Sequence, residues 1–260
     1  SDLLQSLSSA RLLRGAWEEA ADALAFLAEP GRVFVDPGPF FRSGLQVYHQ
    51  LLGTFSGKSE EVRAELKQNP PRSVRPGAVD IDAVARYCAF VEIARALEQP
   101  EIAAPYVPPL TLALQRGVVF ARGWGFLLPR ILGVAKTLAQ DWEEAEACFS
   151  EAAQTARQAG ARPELARTFL DHAWMLLERG RRSERQRAGD LALKAHRLCL
   201  ELGMAPFARQ AKRVAALSGV SVPARLSAEL DATEHCSDQA REVARLVARR
   251  QTEQIGRAHV

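Results

Sequence analysis

The chain has no long hydrophobic run. Its most apolar segment, Gly117 to Leu128, is short and is broken by Arg122 and two glycines, so no membrane span is expected. No phosphate-cradling glycine loop of the form G-x-x-x-x-G-K-[ST] is present, so an ATP site is not expected in this chain. The four cysteines (Cys88, Cys148, Cys199 and Cys236) lie far apart with no C-x-x-C pair, which reads as reduced, apolar core cysteines of a cytoplasmic protein rather than disulfides or metal ligands. His49, His172, His196 and His235 are isolated, with no H-E-x-x-H pattern and no His/Cys pair at ligand spacing. No nucleophile elbow accompanies them, so neither a metal nor a catalytic role is expected. The formal charge of +3 is too small to argue for nucleic acid by itself.

What remains is helix. Aromatics make up only 7% of the sequence, while Ala, Leu, Arg and Glu dominate, side chains that lose little rotamer freedom in a helix. Helix-period apolar patterns run through nearly the whole chain and strand alternation is almost absent, so the fold class is all-α. Expected helices are Asp2–Arg14, Trp17–Ala28, Phe40–Phe55, Ser59–Lys67, Asp80–Glu98, Pro108–Gly117, Phe126–Gln140, Trp142–Ala159, Pro163–Arg179, Arg185–Leu202 and Pro206–Leu217. Gly15, Gly160, Gly180 and Gly203 stand where left-handed helix stops belong, and Pro163 and Pro206 suit first helical turns. Asp80 is expected to cap a strongly amphipathic helix carrying Ile81, Val84, Ala85, Cys88, Val91 and Ile93. Pro30–Pro39, Gln68–Ala78 and Ala104–Pro109 are expected to be loops or breaks, and Gly117 to Gly125 a turn between helices. Glu18, Glu19, Glu143 and Glu144 fall in first turns, where carboxylates favour the positive dipole end; that reading is preferred over acid–base catalysis.

Helix pairs recur. Gly15-Ala-Trp-Glu-Glu-Ala20 resembles Asp141-Trp-Glu-Glu-Ala145, an offset of 145 − 20 = 125 that places Leu24 on Phe149 and Leu27 on Ala152. A second offset, 188 − 145 = 43, places Ala145 on Ala188, Ala152 on Ala195 and Gly160 on Gly203. Repeated helix pairs at such periods signal an α-solenoid, in which each pair covers the apolar face of its neighbour. Trp142, Ala145, Ala152 and Pro163 resemble the aromatic and small positions of tetratricopeptide repeats, over residues 1–30 and 125–205. The period here is longer than that family's usual one. The resemblance implies a repeat domain over residues 1–217 that binds a peptide, protein or small-molecule effector and does no chemistry itself.

On the Pro163–Arg179 helix, Glu164, Arg167, Asp171 and Glu178 share one face, with Arg130 on the preceding first helix. Arg130, Glu164, Arg167 and Asp171 are therefore the candidate effector face, weighed against an ordinary solvated surface. The basic run Arg179-Gly-Arg-Arg-Ser-Glu-Arg-Gln-Arg187 reads as a solvated inter-helix loop, in preference to a phosphate-binding patch.

The tail differs in character. Residues 218–235 read as a linker. Residues 236–254 then contain Ser237, Arg241-Glu242-Val243 and Leu246-Val247-Ala248-Arg249, which resemble the opening of a LuxR-type helix-turn-helix domain. Ser237 would be the N-cap, and Glu242, Val243 and Leu246 part of the scaffold. Arg250 and Glu253 depart from that family's Gly and Asn, and one more amphipathic helix is the competing reading. Residues 255–260, Ile-Gly-Arg-Ala-His-Val, match a translated sequencing adapter (ATC GGA AGA GCA CAC GTC), a reading preferred over a natural Ile-Gly-Arg stretch of a LuxR-type second helix; on the adapter reading, with the chain opening on Ser1 rather than Met, truncation at both ends is expected.

Taken together, these resemblances imply the effector-sensing repeat arm of a large ATP-dependent LuxR-type transcriptional regulator. ATP would be held only by an upstream module, and DNA would be read only through the remainder of the helix-turn-helix. The alternative is a tetratricopeptide scaffold linked to an ATPase or nucleotide cyclase, without DNA binding. A free-standing helical enzyme is the third possibility.

Overall fold

The structure is a computed structural model, and it describes residues 10–28, 38–70, 80, 83–121 and 125–222. A short helical segment, residues 10–14, precedes α1 (Trp17–Ala28), α2 (Gly38–Phe55), α3 (Ser59–Gln68) and α4 (Val84–Leu97). Then come α5 (Pro100–Ala103), α6 (Val107–Gln115), α7 (Leu128–Leu138), α8 (Trp142–Gln158), α9 (Arg162–Arg179), α10 (Arg185–Glu201) and α11 (Ala205–Leu217). The fold is all-α. The sole strand-like feature among the described residues is an antiparallel bridge between Phe120, in the turn expected between helices, and Leu127, just before the next helix begins.

Local chemistry accounts for the helix ends. Gly15, Gly160, Gly180 and Gly203 have φ of 83°, 65°, 76° and 67°, the left-handed conformation that ends a helix without a Cβ clash. Pro163 and Pro206 sit in the first turns of α9 and α11, where a missing N–H loses no bond. The same chemistry overturns one expectation. Ala104–Pro109 is no break: Ala104–Tyr106 form a 3-10 turn that runs into α6, and the prolines occupy first-turn positions. Asp80 is not the N-cap of α4 either. Ala83 holds that position without any side-chain cap, its amide donating to the Asp80 carbonyl at 3.0 Å.

The helices form two rows. α2, α4, α7, α9 and α11 each touch the next, making an inner row. On the outside, α3 lies against α2 and α4, α6 against α4 and α7, α8 against α7 and α9, and α10 against α9 and α11. The residues related by the 125- and 43-residue offsets play matching parts. Ala20, Ala145 and Ala188 are fully buried, as are Leu24 and Phe149, and as are Ala152 and Ala195. Small residues there let the helices approach. At Gly133 of α7 a Cβ would lie 2.7 Å from the Phe149 ring of α8, so only glycine fits.

The central helices of the inner row, α7 and α9, are enclosed over most of their length, whereas α2 and α11 keep an exposed face. Leu128–Ala135 of α7 and Ala166–Ala173 of α9 are buried without interruption, as a helix must be when no face meets water. α4 is the same kind of helix, not an amphipathic one: Cys88 through Ala94 are all buried, Glu92 among them. Its ring stack, Phe90 on Tyr106 at 4.8 Å and Tyr87 on Tyr106 at 5.1 Å, fastens the 3-10 turn beneath it. The N-terminal part closes over the row's far end. Phe55 at the end of α2 meets Phe207 at the start of α11, with ring centroids 5.7 Å apart, and Leu13 packs into the same apolar cluster.

A buried charge network as the candidate functional site

The four residues singled out in the sequence do come together, but inside the molecule. Arg130 is 0% exposed, Glu164 6%, Arg167 5% and Asp171 5%, so this is not a solvated face. Glu178 stays at the rim, exposed, and accepts from Trp174 Nε1. The buried four are completed by two residues of α4, Glu92 and Arg95.

Arg130 reaches from α7 with its guanidinium divided three ways. Nε donates to Glu164 Oε2 at 2.7 Å, Nη1 to Asp171 Oδ2 at 2.9 Å, and Nη2 to Glu92 Oε1 at 2.6 Å. Arg167 bridges the same acids from the other side, donating to Glu164 Oε1 at 3.0 Å and to Glu92 Oε1. Arg95 closes the set on Asp171 Oδ1 at 2.9 Å. Glu164 Oε2 also accepts the backbone N–H of Leu127 at 3.0 Å. Three guanidinia thus meet three carboxylates, drawn from α4, α7 and α9. The charge balances and α4 is tied to two helices distant in sequence.

Only a balanced set is tolerable there, because an unpaired buried charge costs several kcal/mol. Burial pushes the Glu92 carboxyl up, but Arg130, Arg167 and Arg95 outweigh it and hold it down at about 2. Burial likewise works against the Arg130 charge, yet Glu164, Glu92 and Asp171 keep it protonated well above its ordinary value. Glu92 and Arg130 therefore face each other as ions across the physiological range. Any ligand that reached Arg130 would have to displace one of the protein's own carboxylates.

Arg167 has a second role. Its guanidinium lies 5.3 Å from the centroid of the Phe207 ring of α11 and 6.0 Å from that of Phe126, within cation–π range of both.

A satellite cluster lies on the outer row. Arg179, with its side chain only 4% exposed, donates to Glu146 at 2.9 Å and to Glu184, while Arg187 pairs with Glu146 and Arg181 with Glu143. Within the basic run only the Arg179 side chain is buried against acids of α8 and of its own turn; Arg181, Arg182, Arg185 and Arg187 are exposed, as expected of a solvated segment. His172 is a packing residue: it stacks on Phe149 at 5.5 Å, with Nε2 3.4 Å from Arg187. Burial first, and the Arg187 charge second, push its pKa down to about 4. Cys88 and Cys199 are buried free thiols and Cys148 is half-buried.

Sequence reasoning missed Glu92 and Arg95. A signal was there: Glu92 is the lone charge in the apolar stretch Tyr87–Ala94, and a lone acid in a buried helix needs a buried base. Ser237, Glu242, Val243 and Leu246, with Cys236, His235 and the adapter-like end, lie outside the described residues, as does most of the linker. Among the described residues no helix is long and apolar enough to cross a membrane, and no group of His, Cys, Asp or Glu is placed to hold a metal ion. Compared with known proteins, the chain matches no family model, no curated protein and no solved structure.

Proposed function

We propose that this chain is a non-catalytic, tetratricopeptide-like repeat arm that senses an effector or partner within a LuxR-type transcriptional regulator of the cytoplasm. The observation that carries the repeat reading is the pairing of α7 with α8 and α9 with α10. First helices touch first helices along the inner row, and the offset-related alanines lie buried at the contacts. The transcriptional reading is supported by the residues Ser237, Arg241-Glu242-Val243 and Leu246-Val247-Ala248-Arg249.

The charge network gives such an arm its mechanics. Helices joined by packed apolar side chains alone can slide, whereas α4, α7 and α9 are fixed in register by bonds with direction. An effector is then read either on the outer row or by prising the network apart, and not by filling an open inner face. The sensing role calls for no nucleotide in this chain, and ATP belongs to an upstream module.

The test is to express the protein encoded by the uninterrupted natural reading frame beside this 260-residue chain, and to challenge both with fragments of the source genome. Sequence-specific capture by the long protein and none by the short chain is the expected result, since base reading needs a recognition helix in the major groove. A long protein that captures no DNA would leave the scaffold of an ATPase- or cyclase-linked protein as the better reading. Specific capture by the short chain would refute the assignment of DNA reading to the region beyond it.

A further inference from the structure

The turn between α9 and α10 carries more arginine than the acids around it can pair. Arg179, Arg181, Arg182, Arg185 and Arg187 stand close together in the chain. Glu146 pairs with Arg179 and Arg187, Glu184 with Arg179 and Arg181, and Glu143 with Arg181. Among the described residues no acid pairs with Arg182 or Arg185, and both are exposed. The next acid along α10, Asp190, accepts from Gln186 instead. Five guanidinia thus meet three carboxylates, an excess of two positive charges.

That excess is costly where it lies. α10 opens at Arg185 with no acid in its first turn, and cations there oppose the positive end of the helix dipole. Arg182, in the 3-10 turn just before, and Arg185 are three residues apart along a helical path, a spacing at which like charges repel. Ser183 sits in the middle of the set, in the 3-10 turn Arg182–Glu184, and is exposed. Arg181 and Arg182 precede it directly, and Arg185 and Arg187 follow it within the first turn of α10.

We propose that Ser183 is a phosphoacceptor, and that the arginines around it hold the phosphate once it is attached. Ser183 Oγ attacks the γ-phosphorus of a nucleoside triphosphate carried by a separate, arginine-directed protein kinase. The Oγ–P bond forms, the bond from that phosphorus to the bridging oxygen breaks, the nucleoside diphosphate leaves, and the hydroxyl proton passes to solvent. A phosphoserine brings about 1.5 to 2 negative charges at neutral pH, which matches the excess of the turn. Arg182 and Arg185 engage it first, because neither has a carboxylate to leave. The patch fits a single phosphate and not a nucleic-acid strand. Beyond it the exposed residues of α10 alternate in sign, Asp190 and Glu201 with Lys194 and Arg197, so no basic track continues along the helix. The site lies beyond the sensing role and needs neither effector nor DNA.

The 260-residue chain, incubated with ATP and an arginine-directed serine kinase and then mapped by peptide mass, tests the acceptor. Phosphate on Ser183 is expected, and a total lower by one phosphate in Ser183→Ala. A folded chain left unmodified at Ser183, whether or not a free peptide of residues 177–190 is modified, would overturn the inference. Phosphorus NMR and melting of the modified chain test the arginines. The second ionisation of the phosphate, near pH 6 in a free phosphoserine, is expected to be about threefold more acidic, because guanidinia favour the dianion. At pH 7, above both values, that preference raises the melting temperature by about 1–3 °C in low salt, and the gain fades at about 1 M salt. Arg182→Gln combined with Arg185→Gln, at two exposed positions, should remove most of both effects. If the kinase needs those arginines to recognise the turn, phosphoserine placed at position 183 during translation provides the same sample. A phosphate of ordinary acidity with no effect on melting would overturn the inference. Inorganic phosphate titrated into the unmodified chain separates the remaining source. Micromolar binding that is lost in the double variant would assign the cluster to a free anion and overturn the phosphoacceptor role.

Discussion

Replacing Arg130 by Met probes the network most severely, because Met keeps the length and loses three charge-assisted bonds at once. It leaves Arg95 and Arg167 facing Glu92, Glu164 and Asp171, one uncompensated negative charge in a site where Arg130 itself is 0% exposed. Breaking a buried ion network by removing one partner costs about 3–5 kcal/mol. Urea unfolding at pH 7 should show a loss of that size.

The pH dependence of the loss carries a sign. In the native chain Glu92 is held at about 2, below its ordinary 4.5, so its contribution is complete above pH 4.5 and is lost as pH falls toward 2. In the variant the stranded carboxylate is shifted upward, so its penalty is relieved below its unfolded pKa and grows as pH rises. The gap between native chain and variant should therefore narrow as pH drops from 7 to 5. Adding Glu92→Gln restores charge balance, and the double variant should lose less than the sum of the single losses by more than 1 kcal/mol, on the order measured for coupled buried pairs. A loss at pH 7 below about 1 kcal/mol, or losses that add to within about 0.5 kcal/mol, would refute the reasoning.

Other expectations follow from single contacts. Gly133→Ala drives a methyl into the Phe149 ring and should cost about 1–3 kcal/mol by thermal melting despite alanine's better helix propensity, with Phe149→Leu recovering part of it. Gly160→Ala meets no neighbour but must hold a φ of 65°, so a loss near 1 kcal/mol should arise from backbone strain alone. The His172 pKa is depressed to about 4 from 6.5, so its part in stability is whole above pH 6.5 and lost as pH falls toward 4. His172→Gln should flatten the melting temperature across that window; an unchanged slope would show that the ring is not protected from protons. Cys88 and Cys199, buried and with thiol pKa values raised by burial, should resist a thiol reagent until the chain unfolds.

Much of the fold is legible in the sequence because it is written in local chemistry. Glycine stops, first-turn prolines and apolar periodicity place Trp17–Ala28 and the helices from α7 onward within a residue or two. The failures came where local rules met tertiary context. Ala104–Pro109 holds three prolines and reads as a break, yet each proline fits a first turn once Tyr106 is anchored under Phe90. The candidate site was found as a face and misjudged as a surface. Helical spacing shows that Glu164, Arg167 and Asp171 point the same way, but it does not say what lies opposite. Glu92 and Arg95 of α4 lie 38 and 76 residues from their partners Arg130 and Asp171 in the chain, and nothing local brings them there.

The measurement that bears most directly on the proposed role is a contiguous read of the source locus through both ends of this frame. The expected frame runs past Gln254 into two further short helices, the second basic, with a phosphate-cradling glycine loop encoded upstream and no adapter-like Ile-Gly-Arg-Ala-His-Val in the natural sequence. A natural frame that stops at Val260, or that continues into a domain of another kind, would contradict the LuxR-type assignment.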